Sequence, residues 1–456
     1  MNIAQVCAAT LLFHEVYYYA NDGSDAYSVD FMPALGLSLG SKTKPFVHFL
    51  TAISSVWVLI SPNILSIIAL STVGAIYCAG HRWRLSNHLM LVLGLLAICV
   101  GELATSPLSQ TAQQKTIGYL LALVYFFGFF HKLNSGFFAK DVSCANAYMQ
   151  SFFFQKSTFQ PAGWLLALLP WFIVVYEFFL FVGVCVTSSP AGVMVAALPL
   201  HFLFGITGNA HFSVMIYALA IVMIGSVPDL TPGAMATIAV FAGMSLVLVD
   251  RSRFRQRSAA SLAVAFFGMA TGWCLAVLWA SLDNLPKFGS PHDAIQNDVP
   301  SYVYFVLATI ALNCCTPYFG KTEFSLAMFS NIRPDLDNHF IIRQLSSSKF
   351  LREEYLEIIN IVCDRGIRNS SVATMRLAII SLDEYDRWYF RKLYVNECLR
   401  LAKKLGFALS IHARPVGGGD AVWLTQDSLS HSQSVLHRLC CNPPYVSKDH
   451  TSSYMG

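Results

Sequence analysis

The sequence predicts an all-α polytopic membrane helix bundle of about ten or eleven helices, followed by a small α+β C-terminal extramembrane domain. Three observations predict it. Of 456 residues, 55% are hydrophobic and only 12% charged, with a mean hydropathy of +0.53; ordinary soluble domains carry roughly 25% charged residues. Apolar runs long enough to cross about 30 Å of hydrocarbon recur along the first two thirds of the chain. Charge gathers at the other end, where residues 318–456 hold 17 of the 30 Lys and Arg and 14 of the 26 Asp and Glu. This composition excludes a soluble globular enzyme, a disordered chain and a disulfide-knot scaffold. We therefore expect a membrane bundle over 1–317 and a polar α+β tail over 318–456. A net charge of +4, with basic residues scattered through short loops, gives no nucleic-acid patch. The twelve cysteines include the adjacent pairs Cys314-Cys315 and Cys440-Cys441 but show no metal-ligand spacing and no secreted disulfide framework.

In chain order, the apolar runs place helices near 46–61, 63–80, 87–105, 117–131, 163–187, 191–208, 212–227, 233–249, 260–282 and 302–315. A further run, 3–19, is interrupted by His14-Glu15; it has neither the basic start nor the small-residue cleavage site of a signal peptide, so it is expected as a helix. Short loops rich in Lys and Arg stay cytoplasmic. The loops holding Lys42 and Lys44, Arg82 and Arg84, Lys140 and Lys156, and Arg251 to Arg257 all fall on one side of this topology. The acidic loop 283–301 falls opposite, which puts the tail in the cytoplasm. Within the tail, 350–362 and 383–405 have helical spacing, and 407–413 and 421–425 read as two strands joined by a turn at Gly417-Gly418-Gly419.

Polar groups are expensive within hydrocarbon and carry a functional expectation by default. The richest group closes the aromatic run Tyr125–Phe130 with His131-Lys132. Two readings fit Lys132: a side chain snorkelling to the headgroups, or an amine kept in a low-dielectric pocket, available as a general base. His131 either tunes that amine or caps its helix. Asn87 and His88 either cap the helix that they open or point into the bundle. His201 and His211, flanking Asn209, lack the i,i+4 spacing of a helical metal pair and fit interhelical hydrogen bonding, so no metal site is expected. Glu177 is the deepest carboxylate and must pair, take a proton or face water.

In order, Ser86-Asn87-His88-Leu89, the aromatic run ending in His131-Lys132-Leu133, and His201 followed by Asn209 and Phe212-Ser213-Val214-Met215 resemble the membrane domain of the vitamin K-dependent gamma-carboxylase family, the horizontally transferred transmembrane domain. The resemblance covers roughly residues 45–230. It implies a helix bundle with a pocket for reduced vitamin K or a related quinol. Lys132 matches the base, His88 with Asn87 a polar pair near it, and His201 a histidine of the later helix. In the carboxylases, the deprotonated quinol reacts with oxygen to give a strong base that abstracts a glutamate γ-proton before carbon dioxide adds. The chain departs from the full carboxylases in its short mixed tail, where they carry a large β-rich part gripping the substrate propeptide. The stretch Pro317–His339 is similar to one that follows the bundle in bacterial relatives, with Asn331, Asn338 and His339 as candidates for a pocket mouth.

The resulting expectation is a carboxylase-like enzyme in the lipid bilayer, acting on a peptide or small molecule, of unspecified oligomeric state. The alternative is a non-catalytic member of the same family: a helper in peptide maturation, an immunity protein or a lipid-binding scaffold. A transporter gains no support, because no inverted repeat or pair of broken helices is visible.

Overall fold

The computed structural model describes residues 1–22, 39–40, 42–80, 87–139, 143–146, 149, 162–186, 190–224, 231–249, 251, 256–281, 299–315, 339–342, 355–364, 388–416, 418–427 and 445–447. Among these, helices α1 (Ile3–Asp22), α2 (Thr43–Ile60), α3 (Ile64–Gly80), α4 (Asn87–Ala104), α5 (Gln110–His131), the single turn α6 (Ser135–Phe138), α7 (Gly163–Val186) and α8 (Pro190–Phe204) are followed by a π-helical segment, Gly205–Asn209, then by α9 (Ala210–Ile224), α10 (Pro232–Leu248), α11 (Arg257–Ser281) and α12 (Ser301–Cys314).

Four of the described helices, α2, α4, α7 and α11, are long and apolar enough to cross a membrane; α3, α9, α10, α12 and the stretch Gly192–Thr207 are apolar but shorter. Their outward faces carry bare large hydrophobics, among them Phe49, Ile60, Trp164, Phe179, Val247 and Phe305. A soluble monomer rarely exposes so much contiguous apolar surface, and the pattern is compatible with a lipid bilayer.

Helices α1 and α9 form the centre. Residues Val6, Cys7, Ala8 and Leu11 of α1 and Met215, Ile216, Leu219 and Ala220 of α9 are fully enclosed, and α1 packs on α2, α4, α9 and α11. The interruption His14-Glu15 is thus no break: both side chains are buried inside the bundle. Helix α5 begins seven residues before its apolar run, because Ser109 accepts the Ala112 N–H as a cap. Segments α8 and α9, expected as two spans, are joined through the π segment, where the chain bends so sharply that Ser213 Oγ donates to the His201 carbonyl at 2.6 Å. Helices α10 and α11 meet backbone to backbone at Gly268 and Gly272, where a Cβ on Gly272 would stand 2.7 Å from Ile238 Cα.

The described tail forms a five-stranded antiparallel sheet in the order β4-β3-β1-β2-β5. Its elements are β1 (Tyr355–Cys363), β2 (Trp388–Arg391), helix α13 (Lys392–Leu405), β3 (Leu409–Pro415), β4 (Val422–Thr425) and β5 (Tyr445–Ser447). Leu356, Ile358, Phe390, Val395, Leu399 and Ile411 share a core of their own. The helix expected over 350–362 is corrected: its described part is strand β1, rich in the β-branched residues Ile358, Ile359, Ile361 and Val362 that suit a sheet. The described part of the helix expected over 383–405 is β2 followed by α13. The β3–β4 hairpin stands, turning through Gly418 and Gly419 at φ 101° and 137°, a backbone that glycine adopts freely; Gly417 lies outside the described residues.

Candidate functional site

The site is built where α5 ends. Lys132 is the C-cap residue of α5, and its ammonium reaches back to the Gly128 carbonyl at 2.8 Å, an acceptor of the last helical turn. Across the interface, α7 supplies Glu177, whose Oε2 and Oε1 accept from Lys132 Nζ at 2.7 and 3.0 Å. The three acceptors match the three N–H donors of an ammonium. Lys132 is 6% exposed and Glu177 5%, so the lysine does not snorkel to a headgroup layer. It joins a buried ion pair that ties α5 to α7, and the expected apolar surroundings of the amine are corrected to a carboxylate partner. Such pairs roughly repay their desolvation when whole and cost about 3–5 kcal/mol when one partner is removed. Gly128 packs against the pair, and a Cβ there would meet Glu177 Oε2 at an ordinary contact distance of 3.5 Å.

Beside the pair lies a cavity of about 100 Å³. Lys132, Glu177, Asn87, His201 and Asn209 all line it, together with the rings of Tyr125, Phe137, Phe204 and Phe212. Four elements therefore bring five of the expected residues to one hollow: α4, α5, α7 and the α8–π segment. The π segment places Asn209 and Thr207 on the wall beside His201. His201 Nε2 pairs with the Tyr125 hydroxyl at 3.0 Å, while its Nδ1 is buried with no hydrogen-bond partner among the described residues. A buried polar atom left unsatisfied costs about 1–3 kcal/mol. His201 lines the cavity, while this nitrogen itself is enclosed by the protein.

Three expected residues stand elsewhere. His131 is fully buried and stacks on Phe127, with ring centres 5.3 Å apart. His88 and His211 stack on each other at 4.8 Å, in a separate cluster of rings behind the cavity wall. Of the pocket-mouth candidates, Asn331 and Asn338 lie outside the described residues. His339 docks on the end of α5: its Nε2 is 2.9 Å from the Phe130 carbonyl, and its Nδ1 accepts the Ile341 and Ile342 N–H groups. Those donors fix the neutral tautomer with its proton on Nε2. The chain beyond the bundle is thereby pinned next to Lys132, where Phe340 N–H also donates to the Leu133 carbonyl at 2.9 Å. Sequence reasoning missed Tyr125, whose signal was a phenol within an aromatic run; a buried Tyr hydroxyl seeks a partner.

Among the described residues, no group of three His, Cys, Asp or Glu side chains is disposed to hold a metal ion. No family model, curated protein or solved structure matches the chain.

Proposed function

We propose that the chain is a multi-pass membrane enzyme of about ten or eleven spans, with its tail in the cytoplasm, which binds a reduced quinone such as vitamin K hydroquinone beside Lys132 and acts in the manner of a vitamin K-dependent carboxylase on a peptide or small molecule. The observation that carries this reading is the cavity, which joins a buried ion pair, the polar side chains of Asn87, His201 and Asn209, and aromatic walls in one place. A quinone ring suits such walls, because flat rings stack on Phe and Tyr. His201, Asn87 and Asn209 are the polar side chains on the cavity wall to orient the ring's oxygens.

Bound there, a reduced quinone supplies an acidic hydroxyl and the reducing power toward oxygen that proton abstraction from a substrate requires. The protein's part is to move one proton. The Lys132–Glu177 pair takes it up on the carboxylate, and the ammonium of Lys132 remains to hold a negative oxygen in place. Enclosure by α5 and α7 strengthens that attraction by excluding water.

The test uses full-length protein in lipid nanodiscs with reduced vitamin K. Wild type consumes it, and Lys132→Ala lowers the rate by about 10²–10³, the range for loss of one donor that holds a developing negative oxygen, while inserting normally. Retained consumption in a folded Lys132→Ala variant, or neither binding nor consumption by wild type, overturns the reading. The second reading, a non-catalytic scaffold, draws on the ion pair itself, whose hydrogen bonds are complete within the protein. It predicts no consumption, and a Lys132→Arg variant that folds and functions as wild type, since a structural pair needs only a cation.

A further inference from the structure

Behind the cavity wall lies a second buried polar cluster that this reading does not use. Five helices build it. From α1 come His14 and Glu15, from α2 His48, from α3 Tyr77, from α4 His88 and from α9 His211; all but the half-buried His211 are buried. His48 Nδ1 lies 2.9 Å from each Glu15 carboxylate oxygen. The His48 ring stands 4.9 Å from that of Tyr77, and the Tyr77 hydroxyl is 2.6 Å from His14 Nδ1. The His14 ring lies 5.0 Å from His88 and 5.2 Å from His211, which stack on each other at 4.8 Å with planes 7° apart. Tyr17 and Tyr18, also on α1, close the cluster, at 4.1 Å from His211 and 5.8 Å from His48 respectively. The charged groups facing it are Glu15 on α1 and Lys44, buried one helical turn before His48 on α2; α3, α4 and α9 contribute Tyr77 and the two stacked histidines.

The cluster has two ends. One begins at the start of α2, where Lys42 and Thr43 are exposed and Lys44 is already buried. The other lies next in sequence to residues of the cavity wall, since Asn87 precedes His88, and Asn209 and Phe212 stand either side of His211. Between them runs a row of groups that can accept a proton on one atom and release one from another: an imidazole has two nitrogens for this, a phenol one oxygen serving both roles. Buried chains of His and Glu in membrane helices are the usual material of proton relays. The rings pack on one another, and they offer no metal cluster among the described residues.

We infer that Glu15–His48, Tyr77–His14 and, next to His14, either His88 or His211 form a proton relay leading from the start of α2 toward the Lys132–Glu177 cavity. Each transfer is balanced: a proton enters at one nitrogen or oxygen, another leaves from the far side of the same group, and nothing is consumed. The inference rests on the proposed function only for what uses the protons.

The test needs no quinol. In full-length protein labelled with ¹⁵N-lysine and held in liposomes, magnetic resonance follows exchange of the Lys132 Nζ protons after transfer to D₂O, the signal being assigned by its loss in Lys132→Met. Tyr77→Phe deletes one hydroxyl and keeps the ring. The relay predicts about tenfold slower exchange in Tyr77→Phe, the scale of one lost hydrogen bond, and the same in His14→Gln. Wild-type exchange in Tyr77→Phe overturns the relay, and that variant decides alone where His14→Gln does not assemble. A relay without quinol consumption leaves this inference standing and removes the proposed function; consumption with unaltered exchange does the reverse.

Discussion

Two buried polar regions lie side by side in this bundle, and they differ in what fills them. Around Lys132 and Glu177 the protein leaves a hollow of about 100 Å³ lined by Asn87, His201 and Asn209. Around His14 the rings stand 4.8 to 5.2 Å apart, packed on one another. Both regions bring polar groups into a setting where each costs several kcal/mol if unpaired. The first reserves room for a molecule that is not protein; the second uses its side chains on one another. On the readings proposed above, the contrast separates a binding site from a conduit, although histidine and tyrosine stand in both.

The largest expected effect comes from unpairing the hollow. Glu177→Ala strands a buried ammonium and lowers stability by about 3–5 kcal/mol, read by thermal unfolding in detergent. A Lys132→Met, Glu177→Leu double variant restores near wild-type stability while abolishing quinol consumption, which separates packing from chemistry. Next, His201→Phe leaves the Tyr125 hydroxyl without its partner and costs about 1–3 kcal/mol, and it weakens quinol binding measured by fluorescence quenching. In the filled cluster, His211→Phe keeps ring volume and stacking, so its cost stays below about 1.5 kcal/mol while proton exchange at Lys132 slows. A stability loss there as large as in Glu177→Ala would erase the distinction between the regions. The smallest effect is Gly128→Ala, which gains up to about 1 kcal/mol of helix propensity, because its methyl meets the Glu177 carboxylate at ordinary contact distance, 3.5 Å.

Much of the helical framework was legible because hydrocarbon-length apolar runs have few alternatives; α4 and α7 end within one residue of the runs that announced them. Polar starts were not, and α5 extends through Gln110–Thr116 on the strength of a Ser109 cap and the absence of a breaker. Strand β1 hid for a physical reason: its register shifts between Ile358 and Asn360, so the period-two alternation is scrambled and the apolar residues imitate helical spacing. At the site, Lys132, Glu177, Asn87, His201 and Asn209 stood out as polar groups within apolar runs. Their convergence did not, since which faces of α5 and α7 meet depends on packing across 45 residues of sequence. The same holds for His14-Glu15, visible only as an interruption and found at the heart of the second cluster.

The account turns on the hollow beside Lys132 being where a quinone ring sits. Photolabelling with an azido-quinone in nanodiscs, mapped by mass spectrometry, tests this directly. It is expected to mark Tyr125, Phe204 or Phe212, with labelling suppressed by excess reduced vitamin K and lost in Lys132→Met. Labelling confined to lipid-facing residues such as Trp171 and Phe179, unchanged by competitor, would contradict it.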